Sequence, residues 1–210
     1  MGSHGVTVTG SASVDVTPDI VLAALGVDVR SEELSTALRS AEDSLARMRE
    51  VLLEGGVQRS GIRSTGSTIW REDRAGNDGQ VQATVMHVRL GLHVRLHEMA
   101  AAGDLVHAAL AAAGADATMD SLDFAVSDTA AALAQARDAA FDDAREIATA
   151  YAARAGRALG RVTTIVDGAA GGSPTPRMAF AAMDKAQAMP IEPGQQSVTA
   201  SVTVTWDLAD

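Results

Sequence analysis

The chain of 210 residues contains no cysteine, which excludes disulfide staples, thiolate metal centres and a cysteine nucleophile. Aromatic residues make up 3% of it, so a core has to be assembled from Val, Leu, Ile and Ala. Positive charge is also scarce: 17 Lys and Arg face 27 Asp and Glu, a net charge of −10. That balance argues against a general nucleic-acid binder, whose phosphate contacts demand a basic footprint. Lys185 is the one lysine, and surface solubility therefore rests on Asp, Glu and Arg. No apolar run reaches the roughly 18 residues of a membrane helix, so no membrane span is expected. The opening residues carry neither the basic segment nor the apolar segment of ~7–15 residues that a signal peptide needs. Residues 1–4 read as a vector-derived remnant or a disordered N-terminus. The chain as it stands is expected in the cytoplasm; removal of a leader would make it an exported or periplasmic protein instead.

What is present is apolar sequence, 47% of the chain, in clear periods. A chain of this length buries a core without staples. Val6, Val8, Gly10, Ala12, Val14 and Val16 alternate with Thr7, Thr9, Ser11, Ser13 and Asp15, the period of a half-buried strand. Pro18-Asp19 breaks it, and a second strand follows over 20–30, with Val21, Ala23, Leu25, Val27 and Val29 on one face. The two strands read as a hairpin-like pair. Ser31, followed by Glu32 and Glu33, reads as the cap and acidic first turn of a helix. Its stripe is Leu34, Leu38, Ala41, Leu45, Met48 and Leu52, and Gly55-Gly56 stops it. Each buried leucine there contributes roughly 1.5–3 kcal/mol. Leu45→Asp is therefore expected to weaken the helix's docking, read as a lower urea midpoint.

Residues 62–70 and 81–96 form a β-hairpin around the polar turn 71–80. On its long strand, Met86, Val88, Leu90, Leu92, Val94 and Leu96 share one face and His87, Arg89, His93 and Arg95 the other. A second helix covers 98–113, with Met99, Ala102, Leu105, Val106, Ala109 and Leu110 inward and Gly114 closing it. After a short strand at 118–126, Ser127-Asp128-Thr129 caps a third helix running to about Ala155. Its inward face is Leu133, Ala136, Ala140, Ala144, Ile147 and Tyr151, and its many alanines favour helix and allow close approach to a neighbour. A strand at 162–166 leads into an irregular stretch, 168–196, with Pro174, Pro176, Pro190 and Pro193. Loops of that length are functional or disordered. The last strand, 198–208, alternates cleanly. The expected architecture is α+β: a mostly antiparallel sheet with three helices packed on one face. No linker divides the chain, so a single domain over 5–208 is expected.

The order of these segments resembles the SIMPL-domain family. The resemblance rests on Val16-Thr17-Pro18-Asp19 between the first strands and on Leu122-Asp123-Phe124 leading into Ser127-Asp128. It continues through the Ala-rich helix ending Ala155-Gly156-Arg157-Ala158-Leu159-Gly160, and through Ile191-Glu192-Pro193-Gly194 before the final strand. That family includes a bacterial oxidative-stress-defence protein, an envelope antigen resembling a ring-forming assembly and a mammalian signalling adaptor. The resemblance implies an oligomeric scaffold or interaction protein, possessing no agreed catalytic residues to carry over.

The residues themselves name few candidates for chemistry. His87 and His93 share a face but lie six residues apart, about 20 Å at strand rise, too far for one metal. His97 and His107 fit no ligand motif either, so the histidines are expected to face solvent or an interface. Asp142 and Asp143, beside Arg145 and Glu146, read as a solvated helix face. Gly66-Ser67 and Gly172-Ser173 lack the nucleophile elbow, and residues 167–172 lack the ending of a phosphate loop. No catalytic residue, resident cofactor or metal site is therefore expected, and the chain is read as not an enzyme. The unusual segment is 177–190, where Met178, Phe180, Met183 and Met189 gather soft apolar surface. Packing or subunit contact explains them most simply, with ligand capture or Cu(I) binding as alternatives. Open sheet edges need covering, so a homo-oligomer, ring-like through repeated heterologous contacts, is expected, as is a protein partner. Arg63, Arg89 and Arg95 would then meet acidic groups across contacts, and His87, Arg89, His93 and Arg95 are the candidate outer-face contacts. The competing reading is a binder of a small ligand, haem or metal, or an uncharacterised enzyme, using a pocket under the 168–196 loop.

Overall fold

The alternating and striped segments do form strands and helices, but the strands pair differently from the sequence expectation. The structure, a computed structural model, describes residues 5–75, 81–168, 175–176 and 194–209. In chain order these contain β1 (Gly5–Val16), β2 (Ile20–Ser31), α1 (Leu34–Glu54), β3 (Ile62–Ser64), β4 (Thr68–Ala75) and β5 (Val81–Leu96). There follow α2 (Met99–Ala113), β6 (Ala117–Ala125), α3 (Ala130–Arg154), β7 (Ala158–Asp167), β8 (Thr175–Pro176) and β9 (Gln196–Ala209). The class is α+β with antiparallel sheets, as expected. The chain divides into two compact units, one of Asp19–Ala125 and the other of the flanking segments through Pro18 and from Val126 onward.

Instead of one shared layer there are two sheets. The hairpin-like pairing of β1 with β2 is not formed. β1 runs antiparallel to β9 over its whole length, from Gly5 opposite Asp207 to Val16 opposite Gln196, while β2 pairs with β5 and β6. The reason lies in the side chains. In this register Val8 faces Val204 and Val14 faces Val198. On the other face Thr7 meets Thr205 and Thr9 meets Thr203, hydroxyl to hydroxyl at 2.9 and 2.8 Å. Both faces of the ladder are satisfied at once, which a one-residue slip would destroy. Pro18 at the boundary, unable to donate to a ladder, separates the strands of the two sheets.

In the unit of the flanking segments, β1, β9 and β7 form one sheet in that order, with β8 also pairing with β9. α3 packs on β1 and β9. Its buried positions are Ala132, Ala136, Ala140, Ala144, Ala148 and Ala152, every fourth residue. Tyr151, expected inward, is 56% exposed: an alanine stripe brings the helix so close to the sheet that no space remains for a large ring beneath it. Phe141 and Ile147 flank the stripe and pack against the core of Val8, Val202, Val204 and Trp206. Asp143 reaches the sheet and accepts the Ser11 N–H at 2.9 Å. The helix start is held by Asp128, which accepts the Ala130 N–H at 2.8 Å in an Asx-turn, while Thr129 at the cap position makes no side-chain cap bond.

In the Asp19–Ala125 unit, β5 is the trunk of a five-stranded sheet, pairing with β2 on one side and with β3 and β4 on the other; β6 completes it beyond β2. The strand expected at 62–70 is thus two strands, both laid along β5. Its inner face supplies Val21, Leu25, Val27, Val88, Leu92 and Val94 to a core covered by α1 and α2. α1 starts at Leu34 with Glu33 at the cap position. Ser31 lies two residues before the cap position and accepts the Glu33 N–H at 3.3 Å. The buried stripe is Ala37, Ala41, Ser44, Met48 and Leu52, with Leu38 and Leu45 half-buried beside it and Leu34 exposed. Arg47 ties the two helices together by donating to the Ala112 carbonyl at 3.0 Å and to the Ser44 hydroxyl at 2.9 Å.

Candidate functional site

Because α1 and α2 cover one face of the five-stranded sheet, its other face is the place where the alternate residues of β2 and β5 gather. Apart from Leu22, those residues are polar or small. Along β5 they are His87, Arg89, Gly91, His93 and Arg95, opposite Arg30, Asp28, Gly26, Ala24 and Leu22 of β2. The face therefore carries a charged end, a flat glycine middle and a basic groove.

At the charged end His87 is buried, 3% exposed, although its strand period places it away from the helices. Its cover comes from the neighbouring strand. Trp70 of β4 lies opposite His87 in register and stacks on the imidazole, with ring centroids 4.6 Å apart and planes 17° from parallel. His87 Nε2 donates to Glu72 Oε2 at 2.9 Å. The other ring nitrogen, Nδ1, sits 3.8 Å from Asp28 Oδ1, and neither atom has a hydrogen-bond partner. That distance is beyond a hydrogen bond. The expectation of a solvent-facing His87 is thus corrected: an indole on β4 roofs it. Sequence alone gave no register for β4, so Trp70, Glu72 and Asp28 were not recognisable as its neighbours.

Arg89 pairs with Asp120 of the same chain. Asp120 stands where the β2–β6 register shifts, between the rows of Met119 and Ser121. That irregularity lets it reach across to β5.

Beyond the glycines the face opens into a groove of about 500 Å³. Arg63 lies opposite His93, and His93 opposite Ala24; one row on, Arg95 lies opposite Leu22 and Leu22 opposite Asp123. All six side chains line the groove. Arg63, His93 and Arg95 are exposed, so His93 and Arg95 do stand on the outer face as expected. Arg63 and Arg95 are diagonal neighbours, about 7 Å apart on adjacent strands, a like-charge repulsion of about half a kcal/mol even in water.

A family model described as SIMPL, a protein of unknown function (DUF541), matches residues 6–206. The chain belongs to the SIMPL family. No curated protein matches it. In this SIMPL chain the methionine-rich candidates Met178, Phe180, Met183 and Met189, with most of the 168–196 segment that contains them, lie outside the described residues. Among the described residues no three His, Asp or Glu side chains converge as a metal-ligand set, and no helix is long and apolar enough to cross a membrane.

One further surface of this SIMPL protein stands out. β7 pairs with β9 along one side, and every residue from Arg161 to Asp167 is exposed. Among them Val162, Ile165 and Val166 are 40%, 57% and 55% exposed. Arg137 of α3 holds the end of the strand through Asp167 at 2.9 Å.

Proposed function

We propose that this SIMPL protein is a non-enzymatic scaffold or interaction protein that assembles with copies of itself through the β7 edge. The observation that carries this reading is the exposure of Val162, Ile165 and Val166 on an edge strand. An exposed, apolar strand edge is a template for pairing with another chain. Among the described residues nothing pairs with the far side of β7. Addition of a strand there satisfies its backbone groups and covers its valines and isoleucine in one step. If each contact joins unlike surfaces, repetition closes into a ring. A stress-linked role follows from the family resemblance and names no partner.

Multi-angle light scattering tests the assembly. The expected mass is a defined multiple of the 21.6 kDa chain. Ile165→Lys places a charge on the edge and is expected to reduce that mass while leaving the circular dichroism spectrum unchanged. A strict monomer at micromolar concentration overturns the reading.

A further inference from the structure

The basic groove of the five-stranded sheet has a charge arrangement for which folding gives no reason. Arg63, His93 and Arg95 converge from β3 and β5 and make no hydrogen bond or ion pair with any described residue. Acidic groups are plentiful, 27 against 17 basic ones, and Arg71, Arg89 and Arg137 each hold one. Like charges on adjacent strands repel, yet here they border a concavity of about 500 Å³, the size that accepts a small molecule.

We propose that this groove binds a small organic anion. Its carboxylate or phosphate group is held by the guanidinium groups of Arg63 and Arg95 and a ring N–H of His93, and its apolar body rests on Leu22 and Ala24. The planar fork of a guanidinium matches two oxygens of such a group. Asp123 restricts the other end. It lies two strands from Arg95, about 10 Å across the sheet, and repels a second negative group placed there. The ligand is therefore anionic at one end and neutral or donor-bearing at the other. Every residue of this site belongs to the Asp19–Ala125 unit, whereas β7 does not, so the proposal is independent of self-assembly.

Calorimetric titration of the full chain with hexanoate, phenyl phosphate and uncharged hexanol tests it. Saturable binding of at least one anion and none of hexanol is expected, and the tighter anion shows whether the natural head group is a carboxylate or a phosphate. The double variant Arg63→Ala/Arg95→Ala is expected to weaken binding at least about tenfold, equivalent to one 1.4 kcal/mol step. Asp123→Asn is expected to bind equally or more tightly, which separates loss of the cations from general damage. Because these side chains are exposed, all the variants are expected to keep the parental circular dichroism spectrum. No saturable binding of either anion at about 10 mM, above the weak-binding range, overturns the proposal. An unchanged affinity in the double variant does the same. A change of oligomeric mass in the double variant, with no anion bound by the parent, also overturns it and assigns the arginines to a contact between copies.

Discussion

Gly10→Val is expected to destabilise the unit built on β1 and β9 by about 3 kcal/mol or more, at or beyond the upper end for overpacked cores. A Cβ at Gly10 would lie 2.2 Å from the Ala140 carbonyl oxygen and 2.4 Å from the Ala144 backbone nitrogen. Both atoms belong to the helix backbone, so no rotamer change relieves the clash. α3 as a whole must lift, and with it the burial of Ala136, Ala140, Ala144 and Ala148 against the sheet. A β-branched residue is otherwise better than glycine in a strand, so the sign is decided by the helix overhead. Urea unfolding followed by fluorescence of Trp206, 3% exposed beneath that helix, measures the effect. Gly103→Ala in α2 is the opposing control: its Cβ meets nothing within 4 Å, and about 0.5–1 kcal/mol of added stability is expected. An unchanged midpoint for Gly10→Val means that α3 does not sit on β1 as described.

That close approach was half legible beforehand. The alanines spaced along 130–154 announce a helix able to come near its neighbour, and Gly10 stands on the inward face of an alternating strand. What sequence does not contain is the pairing of the two, since β1 and α3 lie more than a hundred residues apart. The same limit explains the sheet error. Period two tells which residues of β1 and β2 share a face but not which strand lies beside them. Adjacency along the chain suggested each other; complementary Val and Thr/Ser rows in β9 decided otherwise. Elements with self-contained signals came through well: the α1 stop at Gly55 and Gly56, the α2 stop at Gly114 with φ +83°, and the continuous alternation of β2, β5 and β9. The outer-face residues His93 and Arg95 were readable for that reason. Arg63 completes their groove through a three-residue strand too short to show a period, and the His87 environment required the register of β4.

His87→Ala is expected to cost about 2–4 kcal/mol, the range for emptying a buried side-chain site. The ring is 3% exposed and fills the space between Trp70 and the sheet. Its removal abolishes the stack, worth about 0.5–1.5 kcal/mol beyond area, and the Glu72 hydrogen bond. Trp70 then loses its support, so its fluorescence should shift to longer wavelength in the folded state before any denaturant is added. A companion substitution examines the contact on the other ring nitrogen. With Nε2 donating to Glu72, a neutral ring presents an Nδ1 lone pair toward Asp28 Oδ1, 3.8 Å away, and the two acceptors leave each other unsatisfied. Asp28→Asn turns an N–H toward Nδ1 and is expected to draw the 3.8 Å gap into hydrogen-bond range and raise stability by up to about 1 kcal/mol, the net worth of one hydrogen bond. The two variants are read together by urea unfolding. A loss with His87→Ala and a gain with Asp28→Asn assign the node a structural role, a clamp holding β4 to β5. A loss with Asp28→Asn instead means that the ring carries its second proton toward Asp28, which overturns the acceptor-to-acceptor reading.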